Sequence, residues 1–313
     1  MTRSITMRTM DLQIHQEEKN IMNQRAYSPN TWMTMTRIAV AVVVTGLLLL
    51  SSAGAGWAAT IWVSLRMDAG VTPPGVNCDV PGYNTIQEAI SAASPGDIIK
   101  VCPGTYTENV VIGTSDLTVI STDGAPATTV RAAASAIVFF ITAPGVTLSG
   151  FTIIPDGFAD QDLGVVVGIE GNANAKITCN VIIGGRIGIS LGCVSFGSTI
   201  ADNTVSGQTE GGINIDTCEA PPFPGSHDNA IYQNVACSVT STGSIALGGS
   251  SNDNLIHHNV ATKISLFGMG NNVHHNTTQV AITDNGINIL NKNTINPTVC
   301  SCRGSACWIE RVR

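Results

Sequence analysis

The loop PDGFADQDLG places three carboxylates within seven residues, at Asp156, Asp160 and Asp162. Hard cations bind clustered oxygen ligands, so this spacing makes the three residues candidate metal ligands, with Ca²⁺ the natural ion. The alternative, which we favour, is a solvated acidic turn without a metal. The sequence therefore suggests Ca²⁺ as a cofactor and does not require one.

Two histidine pairs, His257-His258 and His274-His275, stand 17 residues apart in equivalent positions of a repeated phrase. Neutral imidazoles stacked on successive coils could bind a transition metal. The alternative, which we favour, is that they fill outward strand positions as ordinary polar residues. Other copies of the phrase hold Thr178-Cys179, Ala201-Asp202 and Tyr232-Gln233 in the same slot.

The repeated phrase contains an asparagine near its end. Its copies are KITCNVI, TIADNTV, AIYQNVA, LIHHNVA and NVHHNTT, around Asn180, Asn203, Asn234, Asn259 and Asn276. An Ile or Val stands three places before each of these residues, and Asn229, Asn254 and Asn271 stand five places before three of them. A second phrase, a small residue followed by Ile, interleaves with the first at Gly188-Ile189, Gly212-Ile213, Ser244-Ile245 and Gly286-Ile287.

Two strand phrases alternating within a unit of about two dozen residues are typical of a solenoid whose strands pair with their copies in the next coil. Stacked Asn side chains satisfy one another's hydrogen bonds, so a polar ladder inside the coil is acceptable. We predict such a ladder through the five asparagines. A leucine-rich repeat would need L-x-x-L-x-L spacing and a helix in each unit, and a β-sandwich would not repeat these phrases.

A short amphipathic helix precedes the repeats. Thr85 and Glu88 stand in capping-box spacing, and an apolar stripe follows at i, i+3, i+4 and i+7. Ser94-Pro95-Gly96 ends the helix, and short strands follow at Ile98 to Val101 and Tyr106 to Ile112. We predict that the helix, Thr85 to Ala93, covers the open end of a stacked sheet.

This segment, Tyr83 to Ile112, contains the runs TIQEAI, SPGDIIKV and PGTYTENVVI. It closely resembles the N-terminal cap of the secreted proteins of the pectin lyase-like superfamily and is similar to the opening of pectin methylesterases. The resemblance implies an all-β fold, a right-handed parallel β-helix with an N-terminal capping α-helix. It also implies a polysaccharide ligand, most often an acidic one.

The catalytic motifs of the resembled families are missing. Pectin methylesterases need two carboxylates and an Arg on the first coils, yet Val130 to Phe140 hold no carboxylate. The paired aspartates, Gly-His-Gly and Arg-Ile-Lys of polygalacturonases are also absent. Polysaccharide lyases use a Lys, Arg, His or Tyr base while a cation such as Ca²⁺ neutralises the substrate carboxylate. Candidate bases, none marked out by spacing, are Lys176, Arg186, Tyr232, His257 and Lys263.

Composition limits the function classes. The chain has 313 residues with 32 Gly, 12% charged and 5% aromatic residues, which argues against long surface helices. The formal charge is −7, and the residues after 59 carry 10 basic against 19 acidic side chains. An acidic body lacks the basic surface that nucleic-acid binding requires, so we predict no nucleic-acid partner.

The N-terminal region has the pattern of an export signal. Residues 1–36 show no apolar periodicity and are interpreted as a disordered or mis-annotated leader. Arg37 is followed by an apolar run to Leu50 and by small residues suited to cleavage after Ala55 or Ala58, so 37–59 is predicted to be a signal peptide. The run is shorter than the roughly 20 residues of a membrane span, so no stable span is expected after cleavage.

Nine cysteines behind an export signal indicate an oxidising compartment. Cys78 and Cys102 flank the cap helix, and we predict a disulfide between them. Cys193 and Cys218 could bridge neighbouring coils, whereas Cys179 and Cys237 have no obvious mate. The tail holds Cys300, Cys302 and Cys307, for which disulfides or a disordered end are favoured over a metal site.

The sequence thus predicts a β-helix domain at 78–296 and a Cys-containing tail at 297–313. The expected location is secreted, periplasmic or at the cell surface. The leading hypothesis is a protein that binds polysaccharide or serves a structural role without catalysis. The rival is a lyase or related enzyme acting on uronate-containing, pectin-like polymers, with loops near Asp156 to Asp162 and Lys176 to Arg186 forming the site. The sequence does not specify an oligomeric state.

Overall fold

The computed structural model describes residues 58–66, 71–157, 159–168, 174–192, 194–215, 225–238, 243–303 and 306–309, which all lie in one compact unit, Ala58–Arg313. The predicted leader, most of the predicted signal peptide, Cys193 and Cys218 lie outside the described residues. Among the described residues, no helix combines the length and apolar character needed to cross a bilayer.

One helix, α1 (Ile86–Ala92), accompanies short strands in the described part of the chain. The first strands are β1 (Thr60–Val63), β2 (Ile98–Val101), β3 (Gly104–Thr107), β4 (Val110–Ile112), β5 (Thr118–Ser121), β6 (Thr128–Arg131), β7 (Phe139–Ile141), β8 (Thr147–Ser149), β9 (Thr152–Ile154), β10 (Leu163–Val167), β11 (Lys176–Thr178), β12 (Val181–Ile183), β13 (Ile187–Leu191), β14 (Thr199–Ala201) and β15 (Thr204–Ser206). They continue with β16 (Gly211–Ile215), β17 (Ala230–Tyr232), β18 (Val235–Cys237), β19 (Ile245–Leu247), β20 (Leu255–His257), β21 (Val260–Ala261), β22 (Ile264–Leu266), β23 (Asn272–His274), β24 (Thr277–Thr278), β25 (Thr283–Asp284), β26 (Ile289–Asn291), β27 (Thr294–Ile295), β28 (Cys300–Arg303) and β29 (Ala306–Ile309).

The strands form three long parallel sheets. Sheet 1 has the order β1-β2-β5-β8-β11-β14-β17-β20-β23-β26, sheet 2 runs from β3 to β27, and sheet 3 runs from β4 to β25. Each sheet takes every third strand, so the chain passes through sheets 1, 2 and 3 in turn and then starts the next coil. The predicted fold class, an all-β right-handed parallel β-helix with a capping helix, is confirmed.

Columns of identical or similar apolar residues fill the interior. In sheet 1, Ile177 pairs in register with Leu148 on one side and Ile200 on the other. The column continues through Ile231 and Ile256, and all of these side chains are fully buried. Since side chains alternate between the two faces of a strand, the residues beside each inward one point to solvent or to covering loops.

The folded region begins before the predicted residue 78. Strand β1 pairs in parallel with β2 over four residues, from Thr60 with Ile98 to Val63 with Val101. Ala59 also bonds within the domain, because its backbone N–H donates to Asp97 Oδ1 at 2.7 Å. Ala59, the last residue of the predicted signal segment 37–59, thus contacts the β-helix domain. A four-residue strand directly after an apolar run gives no periodic signal of its own.

The predicted tail, 297–313, contains ordered strands. Strands β28 and β29 form an antiparallel hairpin, and Cys300 makes a disulfide with Cys237 of β18, which sequence reasoning left without a mate. This covalent bond joins the end of the chain to sheet 2, 63 residues earlier.

The cap helix lies against β1, β2 and β4 and buries Ile86, Ala89 and Ile90. Thr85 is the N-cap, and its hydroxyl accepts a hydrogen bond from the backbone N–H of Glu88 at 3.2 Å. The other side chain that caps the start of the helix is Glu108, and not Glu88 as the capping-box spacing predicts. The carboxylate of Glu108, in the first coil, accepts from the backbone N–H groups of Ile86 and Gln87, both at 3.0 Å.

Glu108→Ala should destabilise the protein by about 1–2 kcal/mol, because two N–H groups at the helix start lose a charged acceptor. The measurement is the free energy of unfolding in urea. Glu88→Ala is the matched control, since Glu88 is an exposed acidic residue in the first turn of α1. Equal losses in the two variants would show that Glu108 does not anchor the cap.

The predicted asparagine residues line up in a column at the turn between sheets 1 and 2. In Asn203, Nδ2 donates to Asn234 Oδ1 of the next coil at 3.0 Å and to the backbone oxygen of Ile177 of the previous coil at 2.8 Å. The backbone N–H of Asn203 also donates to Asn234 Oδ1. The same bonds link Asn180, Asn203, Asn234, Asn259, Asn276 and Asn293.

A second ladder runs along the other edge of sheet 1. Asn229, Asn254, Asn271 and Asn288 are joined by side-chain bonds of 3.0 Å, and the N–H of Ser198 bonds to Asn229 Oδ1. The buried amides of the central rungs thus have partners on both sides. The residue before each asparagine of the first ladder has a positive φ of 52–57°: Cys179, Asp202, Gln233, His258, His275 and Lys292.

Asn234→Ala should lower the free energy of unfolding by about 1–3 kcal/mol, because both neighbouring rungs lose a hydrogen-bond partner. Asn272→Ala provides the control, since Asn272 is an exposed asparagine of β23 outside both ladders. Urea denaturation followed by circular dichroism measures both variants. A loss for Asn234→Ala no larger than that of the control would contradict the role of the ladder.

The last copy of the second strand phrase lies at a different position from the predicted one. In sheet 3 the register places Thr283 opposite Ser265, so the last copy of the second phrase is Ile282 to Asp284 and not Gly286-Ile287. Ile287 is 83% exposed. The last coil, from Asn276 to Asn293, is only 17 residues long. Its sheet 3 strand therefore follows the ladder asparagine after fewer residues than the repeat of the phrase predicts.

Candidate functional site

The acidic loop has one buried carboxylate and two exposed ones. Asp162 is 2% exposed, and its Oδ1 accepts from Ser135 Oγ at 2.8 Å while its Oδ2 accepts from the N–H of Ala159 at 2.7 Å. Asp156 and Asp160 are exposed. Within the described residues, no group of three His, Cys, Asp or Glu side chains has the arrangement of a metal site. Asp162 therefore joins two loops, and the structure does not gather the three predicted ligands.

Asn109 holds the facing loop in place. Its Oδ1 accepts from the backbone N–H groups of Ala133 and Ala134 at 3.1 and 3.0 Å, and its Nδ2 donates to the oxygen of Ile137 at 3.0 Å. The loop before β7 is thus fixed by Asn109 on one side and by the Ser135–Asp162 bond on the other. Both loops are positioned without any ligand.

A cleft of about 260 Å³ opens between these loops, over the first strands of sheet 3. Its floor includes the partly exposed ring of Phe140 and the 46% exposed side chain of Val111. Polar groups on its walls come from Asn109, Asp160 and Gln161. The described lining residues include one carboxylate and no Lys, Arg or His. The full lining is Asn109, Val111, Ala136, Ile137, Phe140, Asp160, Gln161 and Leu163.

Sequence reasoning placed Asp160 in this region but missed Phe140, Asn109 and Gln161. A signal for Phe140 exists in the Phe139-Phe140 pair, because consecutive residues of a strand face opposite sides. Phe139 is fully buried and tilts against Phe151 at 5.7 Å between ring centres. Its neighbour must then face outward.

The candidate bases lie on different faces. Arg186 borders the cleft loop, where its Nε donates to the backbone oxygen of Asp160 at 3.1 Å and its guanidinium forms an ion pair with Glu210. Lys176 is exposed on sheet 1, together with Tyr232 and His257. Lys263 directly precedes β22 of sheet 3. The structure therefore does not bring Lys176 and Arg186 into one site.

The two histidine pairs stack on successive coils of sheet 1. His257 and His274 are register partners with ring centres 5.2 Å apart, and His258 stacks on His275 at 5.0 Å. Tyr232 extends the first stack by one coil, 5.0 Å from His257. Within each pair the Nδ1 atoms are 2.8 and 2.7 Å apart. The four imidazoles form a continuous surface, called here the histidine quartet.

Partial burial lowers the pKa of His257, and the neighbouring His258, His274 and His275 lower it further. The pKa of His275 is lowered as well, by local desolvation and by His258, His274 and Lys292. In His257 and His275, desolvation and the neighbouring charges thus favour the neutral imidazole.

The free energy of unfolding should fall as the pH decreases below about 6.5, the ordinary histidine pKa. In the unfolded chain His257 and His275 then bind protons that they resist in the folded state, where Tyr232 and Lys292 face the quartet. Above that pH the contribution is constant. Urea midpoints between pH about 7.5 and 5.5, with a chelator present, measure the slope. His257→Gln should reduce it, whereas Asn272→Ala, which removes no titratable group, should not. Identical slopes in all three proteins would contradict the prediction.

Two disulfides lie among the cysteines that the structure describes. Cys78 bonds to Cys102, with Cα atoms 5.6 Å apart, which ties the segment before α1 to the end of β2. The second is the Cys237–Cys300 bond. Cys179 is an exposed free thiol in the described part of the chain.

Comparison with solved structures finds lyases and pectin methylesterases. An alginate lyase from Paenibacillus sp. aligns with 67% of this chain and 96% of its own, at 11% identity and a TM-score of 0.46. A pectate lyase aligns over 78% of both chains, at 12% identity and a TM-score of 0.49. A carrot pectin methylesterase covers 72% of this chain and 82% of its own, at 13% identity and a TM-score of 0.41.

No protein-family model matches the sequence, and the comparison with curated proteins finds no match. At these identities and TM-scores the likeness adds nothing beyond the parallel β-helix fold that the three parallel sheets of this chain already define. The chemistry of the site must be argued from the residues of this chain.

Proposed function

We propose that the protein is an exported polysaccharide-binding β-helix, without catalysis, and that the cleft over sheet 3 holds part of the polymer. The observation that carries this proposal is one cleft that combines the partly exposed Phe140 ring with the amides of Asn109 and Gln161 and one carboxylate, Asp160. A sugar has an apolar face of C–H groups and a polar rim of hydroxyls. An aromatic floor with a few placed polar groups complements both parts.

The size and shape of the cleft suit a polymer. Its volume is just below the roughly 300 Å³ at which sites for drug-sized ligands begin, so it accommodates about one sugar unit. The rest of a chain would continue over the solenoid surface. The walls are fixed in advance by Asn109 and Asp162, so binding requires little ordering of loops.

The charge of the cleft favours a neutral polymer over a uronate. Asp160 would repel a sugar carboxylate, and none of the described lining residues supplies a positive charge. The nearest cation that contacts the loop, Arg186, is paired with Glu210. This pairing also argues against Arg186 as the free base of a lyase.

Export is supported by two disulfides, because such bonds persist in oxidising compartments. The apolar run after Arg37 is the segment proposed to direct export.

Binding to insoluble and soluble polysaccharides tests the proposal, with neutral glucans and mannans compared with polygalacturonate and alginate. Phe140→Ala should weaken binding to the preferred polymer at least about tenfold, equivalent to about 1.4 kcal/mol. Phe196→Ala is the matched control, because Phe196 is an exposed Phe that stacks on His227 outside the cleft.

Three results would reject the proposal. The first is the absence of binding to any polymer. The second is an equal effect of the two Phe variants, which would place the site elsewhere. The third is the release of ultraviolet-absorbing unsaturated products from a uronate polymer, which would establish the lyase alternative.

A further inference from the structure

The histidine quartet concentrates metal-binding side chains in one place. The chain has six His residues, and four of them form two adjacent pairs one coil apart. His258 and His275 are exposed, while His257 and His274 are partly exposed, so solvent reaches the cluster. The quartet is separate from the cleft, because it lies on sheet 1 and the cleft lies on sheet 3.

The fold does not require histidine at these positions. The turn before each ladder asparagine needs a residue with positive φ, and Gln233 and Lys292 adopt φ values of 55° and 52° in the neighbouring coils. His258 and His275 adopt the same conformation with φ of 55°. The backbone therefore accepts other side chains in this slot, and its geometry does not account for the imidazoles.

The paired nitrogens lie close enough to bind one metal ion together. Two nitrogens bound at about 2.0 Å and at right angles to each other are about 2.8 Å apart, as in square-planar or tetragonal coordination. Tetrahedral coordination at about the same bond length separates them by about 3.3 Å. The observed Nδ1–Nδ1 distances, 2.8 and 2.7 Å, are those of a hydrogen bond within each pair, and they place the two nitrogens close enough to bind one ion at right angles.

We infer that the histidine quartet is a binding site for one tetragonal late transition ion, Cu(II) or Ni(II), with the Nδ1 atoms of a His pair as its protein ligands. In the free protein one Nδ1 of each pair carries a proton that it donates to the other. On binding, this proton moves to Nε2 of the same ring, so both Nδ1 lone pairs face the metal.

The other coordination positions are taken by water. In the described part of the chain, no three candidate side chains converge in a complete metal site, so the protein supplies a pair of ligands at a time. The second pair, about one strand spacing away, is too close for a second dication to bind without repulsion. One ion per chain follows.

Calorimetric titration of the full chain with Ni(II), after treatment with a chelator, tests the inference. Ni(II) is the probe because it does not oxidise thiols. We expect about one Ni(II) per chain, and at least about a hundredfold weaker binding in the double variant His258→Asn/His275→Asn. Asn tolerates positive φ, so the turn is retained. The melting temperature without metal checks that the variant is folded.

Two control variants separate the quartet from other ligands. Gln233→Asn changes the same turn position one coil earlier, and His227→Gln removes a histidine outside the quartet. Both should bind Ni(II) like the unmodified protein. The inference is overturned if micromolar Ni(II) does not bind. It is equally overturned if the folded double variant binds as tightly as the unmodified protein, because the ligands would then lie elsewhere.

Discussion

Amide groups stacked between coils set the register of the solenoid from β11 onward. A strand of three residues has few backbone bonds and little apolar area with which to fix its partner. An asparagine at its end, buried at 1% exposure, must meet the amide of the next coil or lose its partners. A shift of one residue would turn the inward apolar residue outward as well. The polar column and the apolar column beside it therefore specify the same alignment.

The same arrangement explains how well the fold could be predicted. The ladder asparagines and the Ile or Val three places before them recur in the sequence, and they are the residues that pair in register from β11 to β23. Local signals in the cap were equally direct, since Thr85 and the Ser94-Pro95-Gly96 stop define α1 within a residue. Periodic and local patterns are readable because each one reports a single nearby constraint.

Features that depend on distant residues could not be read in this way. Glu108 completes the helix cap from 22 residues away, and Cys237 finds Cys300 across 63 residues. The cleft combines Asn109, Phe140 and Asp160 from three consecutive coils, none of them in a repeated phrase. The sequence groups Asp160 and Asp162 as candidate metal ligands, yet Asp162 joins two loops through its hydrogen bonds to Ser135 and Ala159. Spacing along the chain does not distinguish a carboxylate that faces solvent from one that joins two loops.

The coils between successive ladder asparagines differ in length, from 17 to 31 residues, while the link from sheet 1 to sheet 2 at the ladder keeps two residues in each of them. All the variation borders sheet 3. One flank of the molecule is thus held constant by its stacked amides, and the opposite flank is free to gain or lose segments without disturbing the stack. Change in this protein over evolutionary time should accumulate on that variable flank, where recognition of new ligands can arise without loss of the fold.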